Sequence, residues 1–281
     1  MTFHCVGEHP MTDFLFILAA ILLSLGLRSF AHPVLFKLGS FGMLGTSFLV
    51  GYFATGRWET GAFFAASWLL LPLLEILTRV RKARLPMVKN LHHQYPPSRE
   101  LFPDLLALTE EMEEEGFEQI DDAGWDWEDH RQFFRLFYKS DERLQASICL
   151  VNQANVAFYY LSFSSRGKDG TSWTTWNYPF SYSMKFAPQF RTNRLRGDHS
   201  VLEMAESHRE FLAKSGVLAE GLTLSNPEEL QVSMQRDMEH QIAHNIAVGV
   251  LLPVEPGTVR YSWRGLLFVW VQFLREFVRF S

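Results

Sequence analysis

Three long apolar stretches stand near the N-terminus, and the remainder of the chain mixes apolar and polar positions. The stretches run from Thr12 to Phe30, from Val34 to Thr55 and from Thr60 to Thr78. Each is close to the roughly 20 residues that a helix needs to cross a bilayer. The pattern predicts an N-terminal tail over residues 1–11 and a multi-pass α-helical membrane anchor of three transmembrane helices over residues 12–78.

Basic residues flank these stretches unevenly. Arg28 and Lys37 surround the first loop, and Arg57 lies in the second. A basic juxtamembrane linker over residues 79–97 carries Arg79, Arg81, Lys82, Arg84 and Lys89, which are predicted to contact the membrane surface or an anionic partner. Because cytoplasmic loops carry the excess of Lys and Arg, this integral membrane protein is expected to have its N-terminus outside and its main domain in the cytoplasm. Cys5 and Cys149 would then lie on opposite sides and could not pair.

The second stretch carries small residues on one helical stripe, which includes Gly42, Ser47, Gly51 and Thr55. Small side chains let helices approach closely in a membrane. This face predicts contact with another membrane protein or self-association through the second span. In the third stretch, Glu75 is expected to pair with Arg79 one turn later; proton or ion handling is the alternative.

Residues 98–258 read as a cytoplasmic α+β domain. Leu101, Leu105, Leu108 and Met112 predict a helix from Ser98 to Glu115 that Gly116 ends. Aromatic and β-branched residues separated by turn sequences then predict a four-stranded antiparallel meander with covering helices. Its strands are expected at Arg131 to Lys139, Gln145 to Val151, Val156 to Ser164 and Thr171 to Tyr178.

Alternation along the third of these strands places Tyr159, Leu161 and Phe163 on an apolar face and Tyr160, Ser162 and Ser164 on a wetter one. The sheet is also rich in aromatic side chains, which favours either core packing or an apolar groove that binds a ligand. The aromatic set comprises Phe133, Phe137, Tyr160, Trp173 and Trp176.

Two charged segments border the sheet. The acidic one, with Asp121, Asp122, Asp126, Glu128 and Asp129, lacks the spacing of a calcium loop and is interpreted as a solvated face. The basic one, with Lys185, Arg191, Arg194 and Arg196, is predicted to be an irregular loop that either is simply solvated or contacts anionic lipid or an acidic partner. A net charge of −5 argues against nucleic acid as a partner.

Two later helices have clear starts, a capping box at Ser200 and Glu203 and an Asn226-Pro227 start. The second helix contains His240 and His244 with zinc-protease spacing, but Gln241 replaces the Glu that serves as the general base. The helical phase places both histidines opposite the apolar stripe, so they are weak metal candidates and no cofactor is predicted.

Residues 259–281 are predicted to form an amphipathic interfacial helix, because Arg264, Arg275 and Arg279 surround an apolar run that is too short to span. A fourth span or a helix buried against the soluble domain are the alternatives.

These features favour a membrane-anchored, non-catalytic binding module, such as an accessory, scaffolding or regulatory subunit of a membrane complex, with the lipid bilayer as its first partner. Two other classes stay open. A membrane-bound metal-dependent hydrolase would use His240 and His244, and a lipid-binding domain would hold an acyl chain on its aromatic sheet.

Overall fold

The computed structural model describes residues 10–30, 32–153 and 156–279. They divide into an anchor unit, within Met1–Ala83, Ser181–Ser183 and Tyr261–Ser281, and an α+β domain, within Arg84–Phe180 and Met184–Arg260. The helices are α1 (Pro10–Arg28), α2 (Pro33–Thr55), α3 (Trp58–Glu75), α4 (Leu105–Glu114), α5 (Val201–Lys214), α6 (Leu230–Ala247) and α7 (Trp263–Arg279). The strands are β1 (Leu85–Pro86), β2 (His92–His93), β3 (Glu118–Trp127), β4 (His130–Lys139), β5 (Leu144–Gln153), β6 (Val156–Arg166), β7 (Ser172–Trp176), β8 (Phe190–Arg194), β9 (Leu251–Pro253) and β10 (Thr258–Tyr261). Cys5 lies outside the described residues.

Two helices of the anchor unit, over Met11–Arg28 and Val34–Thr55, are long and apolar enough to cross a membrane. The third apolar segment meets the same criteria only as a bent pair, Trp58–Trp68 with Leu70–Val80, at 53°. Pro72 has no N–H to donate to the Trp68 carbonyl and its ring crowds that group, which accounts for a break at this point. Beyond α3 the chain continues as a π-helical turn, Ile76–Val80.

Glycines set the spacing between the apolar helices. A Cβ atom at Gly51 would lie 2.7 Å from the carbonyl oxygen of Thr60 and 3.0 Å from Cα of Gly61, and one at Gly42 would lie 2.4 Å from Oγ of Ser24. Trp68 also donates its indole N–H to Oγ of Ser47 over 2.8 Å. The small-residue face of α2 therefore contacts the chain's own α1 and α3.

Replacing Gly51 with Ala is expected to destabilise the anchor unit by about 1–3 kcal/mol, because the added methyl group meets backbone atoms of α3 that cannot move without separating the helices. Gly45→Ala is the matched control on the same helix, since a Cβ there has no neighbour within 4 Å. Thermal unfolding of both variants in the same detergent checks this. Equal midpoints would show that α2 and α3 do not pack as described.

The α+β domain contains a seven-stranded sheet in the order β2-β3-β4-β5-β6-β7-β8 and a smaller sheet in the order β1-β10-β9. Neighbours in the large sheet are antiparallel except β7 and β8, which are parallel, so the sheet is mixed. The predicted four-stranded meander is therefore wrong in size and type, although its four strands correspond to β4–β7.

The missed strands carry charge. The segment that was expected to be a solvated acidic face contributes Asp121, Asp122 and Asp126 to β3. Asp126 is exposed, whereas Asp122 is buried and pairs with Arg135 of β4. The predicted basic loop contains β8, which pairs with β7 from Phe190 to Arg194. Both segments were misassigned because acidic and basic residues are poor signals for strands, whereas pairing with a neighbour overrides that preference.

Helices cover both faces of the large sheet. Leu105 and Met112 of α4 and Met204 of α5 pack with Phe137 and Phe163 in one buried cluster. On the other face Leu230 of α6 joins a cluster with Phe134, Leu136, Tyr138, Cys149 and Tyr160.

The structure agrees with most of the predicted helix starts and ends in the α+β domain. The start of α4 was placed too early, since the helix begins at Leu105 after Pro103. Gly116, with a φ of 83°, ends it as expected. The capping box at Ser200 and Glu203 and the N-cap at Asn226 are confirmed.

Candidate functional site

A cavity of about 280 Å³ lies between α6 and the second face of the large sheet. Strands β5–β8 supply most of its polar lining, namely Gln145, Ser147, Cys149, Tyr160, Ser162, Ser164, Ser172, Thr174 and Thr192. Lys89, Asp237 and Gln241 complete it. Its apolar lining consists of Phe134, Trp176, Met184, Phe186, Phe190, Met234, Met238 and Ile242. The cavity thus combines a hydroxyl-rich floor with aromatic and methionine walls.

The alternation of β6 places these groups. Leu161 and Phe163 are fully buried in the cluster beneath α4 and α5, whereas Tyr160, Ser162 and Ser164 point to the opposite face and line the cavity. The face that was predicted to be wetter is covered by α6. Small hydroxyl side chains under a covering helix leave space that larger apolar residues would have filled.

A chain of buried polar side chains borders the cavity. Trp125 donates its indole N–H to Oε1 of Gln132 over 3.1 Å, and Gln132 donates to the hydroxyl of Tyr160 over 3.0 Å. The thiol of Cys149 lies 3.3 Å from Oγ of Ser147. Burial raises the pKa of Cys149 to about 12 and raises the pKa of Tyr160 well above its usual value. Both groups are protonated at neutral pH.

Charged groups stand at the cavity wall. Asp237 of α6 is paired with the guanidinium of Arg166, which also donates to Oγ of Ser233 over 3.1 Å. Lys89 places its ammonium nitrogen 4.4 Å from the centroid of the Trp125 ring and lines the cavity. Burial lowers the pKa of Lys89 to about 8.

These groups suit noncovalent binding better than catalysis. A cysteine needs a thiolate to act as a nucleophile, and burial holds Cys149 as a thiol. The carboxylate of Asp237 is occupied by Arg166. Hydroxyl groups next to aromatic and thioether walls instead match the lining of small-molecule sites, which are mostly apolar with a few polar groups that orient the ligand.

The predicted basic set is dispersed. Arg79 pairs with Glu75 over 3.3 Å, as expected, and the guanidinium of Arg81 lies 4.6 Å from the centroid of the Trp263 ring. Lys82 is exposed and Arg84 is half-buried. Lys89, predicted to belong to the same surface group, lines the cavity instead.

The cations of the predicted basic loop also differ from one another in exposure and contacts. Arg191 and Arg196 are exposed, whereas Arg194 donates to the carbonyl groups of Tyr178 and Pro179 over 2.9 and 3.0 Å. Arg264 and Arg275 are exposed on α7, which ends at Arg279.

The histidines of α6 do not form a metal centre with their neighbours in the described residues, where no group of three or more His, Cys, Asp or Glu side chains is placed to hold an ion. His240 is exposed and His244 is half-buried. Metal-dependent hydrolysis therefore draws no support from this helix.

The predicted aromatic set is divided between the two faces. Phe133 and Phe137 lie in the core beneath α4 and α5, while Tyr160 and Trp176 lie on the cavity side. The aromatic content of the strands does not by itself reveal this division, which follows from the alternation of side chains across neighbouring strands.

A second buried polar cluster, around His208, is not predicted from the sequence. His208 of α5 is fully buried, and its two ring nitrogens lie 3.1 Å from Oγ1 of Thr175 and 3.2 Å from Oγ of Ser165. Burial, followed by the charge of Arg209, lowers the pKa of His208 to about 4, so it is neutral at pH 7. Its full enclosure makes it a structural link between α5 and the sheet.

No family model matches this chain, and comparison with curated proteins and with solved structures finds no match either.

Proposed function

We propose that this chain is a membrane-anchored, non-catalytic binding module whose α+β domain takes a small amphipathic molecule into the cavity beneath α6. The observation that carries the proposal is the cavity lining, with a row of hydroxyl side chains on the strands and apolar walls around them. At about 280 Å³ the cavity lies at the lower end of the roughly 300–1,000 Å³ that is typical of small-molecule sites. The ligand class is therefore small.

Ser162→Leu is expected to weaken the binding of hexanamide, a neutral amphipathic probe of suitable size, by about tenfold or more, because the larger side chain occupies the cavity. Binding is measured by saturation-transfer NMR on the full chain in nanodiscs, with empty nanodiscs as the blank. Val232→Leu, at a site on α6 that is 54% exposed, is the matched control and should bind as the unaltered chain does. Equal affinity in all three proteins would contradict the proposal.

We also propose that the bent segment Trp58–Val80 crosses the membrane as a third span, which places the N-terminus outside and the α+β domain in the cytoplasm. Arg79, Arg81 and Lys82 follow this segment, as the positive-inside rule requires for its cytoplasmic end. With only two spans the domain would lie on the other side. The third segment therefore decides the side of the domain.

A membrane-impermeant maleimide is expected to label Arg57→Cys on intact cells and to label Lys168→Cys only after the cells are opened. Lys168 is exposed in the α+β domain. Cys5 is replaced by Ser in both variants, and Cys149 can be kept because it is buried and its pKa is about 12. Labelling of Lys168→Cys on intact cells would show that the domain is outside.

The C-terminal helix α7 supports an interfacial position. Trp263, Leu267 and Phe273 are 65, 55 and 40% exposed, and Arg264 and Arg275 are exposed beside them. Aromatic and apolar side chains next to arginines are typical of helices in the headgroup region. The second predicted partner, another membrane protein on α2, stays a prediction, and the Gly42 and Gly51 positions are already in contact with α1 and α3.

A further inference from the structure

Lys89 is a half-buried cation that faces the cavity without an acidic partner. Its ammonium group contacts the Trp125 ring, and no Asp or Glu oxygen of the described residues lies within 4.0 Å of it. Withdrawal from water lowers the pKa of its ammonium group to about 8. Lys89 contributes a positive charge, most of it present at pH 7.

The neighbouring charges leave this positive charge uncompensated. Arg166 and Asp237 neutralise each other at the cavity wall. His130, whose ring centroid lies 4.8 Å from that of Trp125, has its pKa lowered mainly by burial and is neutral at pH 7. The hydroxyl of Tyr160 and the thiol of Cys149 are protonated. The cavity therefore has a net charge of one positive unit, on Lys89.

A half-buried ammonium group without an anion is unfavourable, because it has lost part of its water and gained no opposite charge. An acidic group of a ligand would supply that anion through a charge-assisted hydrogen bond. The thioether and aromatic walls of Met184, Met234, Met238 and Phe186 would accommodate the rest of such a ligand.

We propose that the cavity binds a small amphipathic monoanion, with its acidic group at the ammonium of Lys89 and its apolar body against the methionine and aromatic walls. This inference rests on the proposed binding function and specifies the chemistry of its ligand.

The test compares hexanoate with hexanamide, which share one alkyl chain and differ in charge, on the full chain in nanodiscs at pH 7. Hexanoate is expected to bind about tenfold or more tightly, since a hydrogen bond to a charged group contributes more than one between neutral groups. Lys89→Met should abolish this preference, so that the two probes bind the variant with similar affinity. Lys168→Met, which removes an exposed lysine of the same domain, should keep it.

The outcomes separate the two proposals. If hexanamide binds and hexanoate is not preferred, or if Lys89→Met retains the preference, the monoanion inference is overturned while the binding function stands. If neither probe binds the unaltered chain, both are overturned. The thermal midpoint of Lys89→Met, measured beside that of Lys168→Met, verifies that the variant is folded, and Lys89→Arg should restore part of the preference.

Discussion

Replacing Asp122 with Ala is expected to lower the free energy of unfolding of the α+β domain by about 3–5 kcal/mol. The carboxylate of Asp122 accepts two hydrogen bonds from the guanidinium of Arg135, over 2.9 and 2.8 Å, and the two side chains are only 9 and 11% exposed. Arg135 also donates to Oγ1 of Thr109 over 3.0 Å, which connects β4 with α4. Removing the carboxylate leaves a buried guanidinium without its anion.

Asp126→Ala is the matched control on the same strand. Its carboxylate lies 3.7 Å from Arg131, and these side chains are 47 and 77% exposed, so the pair contributes about 1 kcal/mol or less. Thermal unfolding followed by tryptophan fluorescence distinguishes the two variants. Similar losses would mean that the Asp122–Arg135 pair is not buried as described.

Lowering the pH from 7 to 4 is expected to remove about 3 kcal/mol of stability through His208 alone. The pKa of His208 is about 4 in the folded chain and about 6.5 when it is unfolded. Between these values the unfolded state binds more protons, so the stability is complete above pH 6.5 and is lost as the pH falls towards 4. The pKa of Glu142 is lowered to about 2, chiefly by its hydrogen bond with Arg209. Its contribution to stability is therefore lost mostly at lower pH, between about 4.5 and 2.

His208→Gln removes the titrating group and keeps hydrogen-bonding capacity towards Thr175 and Ser165. Its thermal midpoint should fall much less between pH 6.5 and 4 than that of the unaltered chain. The same pH dependence in both proteins would show that His208 is not responsible.

The sequence predicts the parts of this fold that depend on regular apolar patterns. Continuous apolar runs identify α1 and α2, and alternating aromatic residues identify β4–β7. Apolar patterns do not predict the charged strands β3 and β8, because the place of these strands in the sheet depends on ion pairs and on register with their neighbours. Asp122 is informative only once Arg135 is known to lie opposite it.

The cavity was predictable only in part. Alternation along β6 correctly separates Leu161 and Phe163 from Ser162 and Ser164. The position of Lys89, which stands in the basic linker before the domain, depends on tertiary contacts with Trp125 that no local pattern indicates. Its charge was therefore assigned to the membrane surface.

Ligand binding beneath α6 is tested most directly by methyl NMR of the full chain in nanodiscs, with carbon-13 in the methionine methyl groups. Met184, Met234 and Met238 line the cavity, whereas Met112 and Met204 are fully buried on the opposite face of the sheet. Adding hexanoate should shift the first three signals and leave the other two unchanged. Unchanged signals from Met184, Met234 and Met238 at saturating hexanoate would contradict the account.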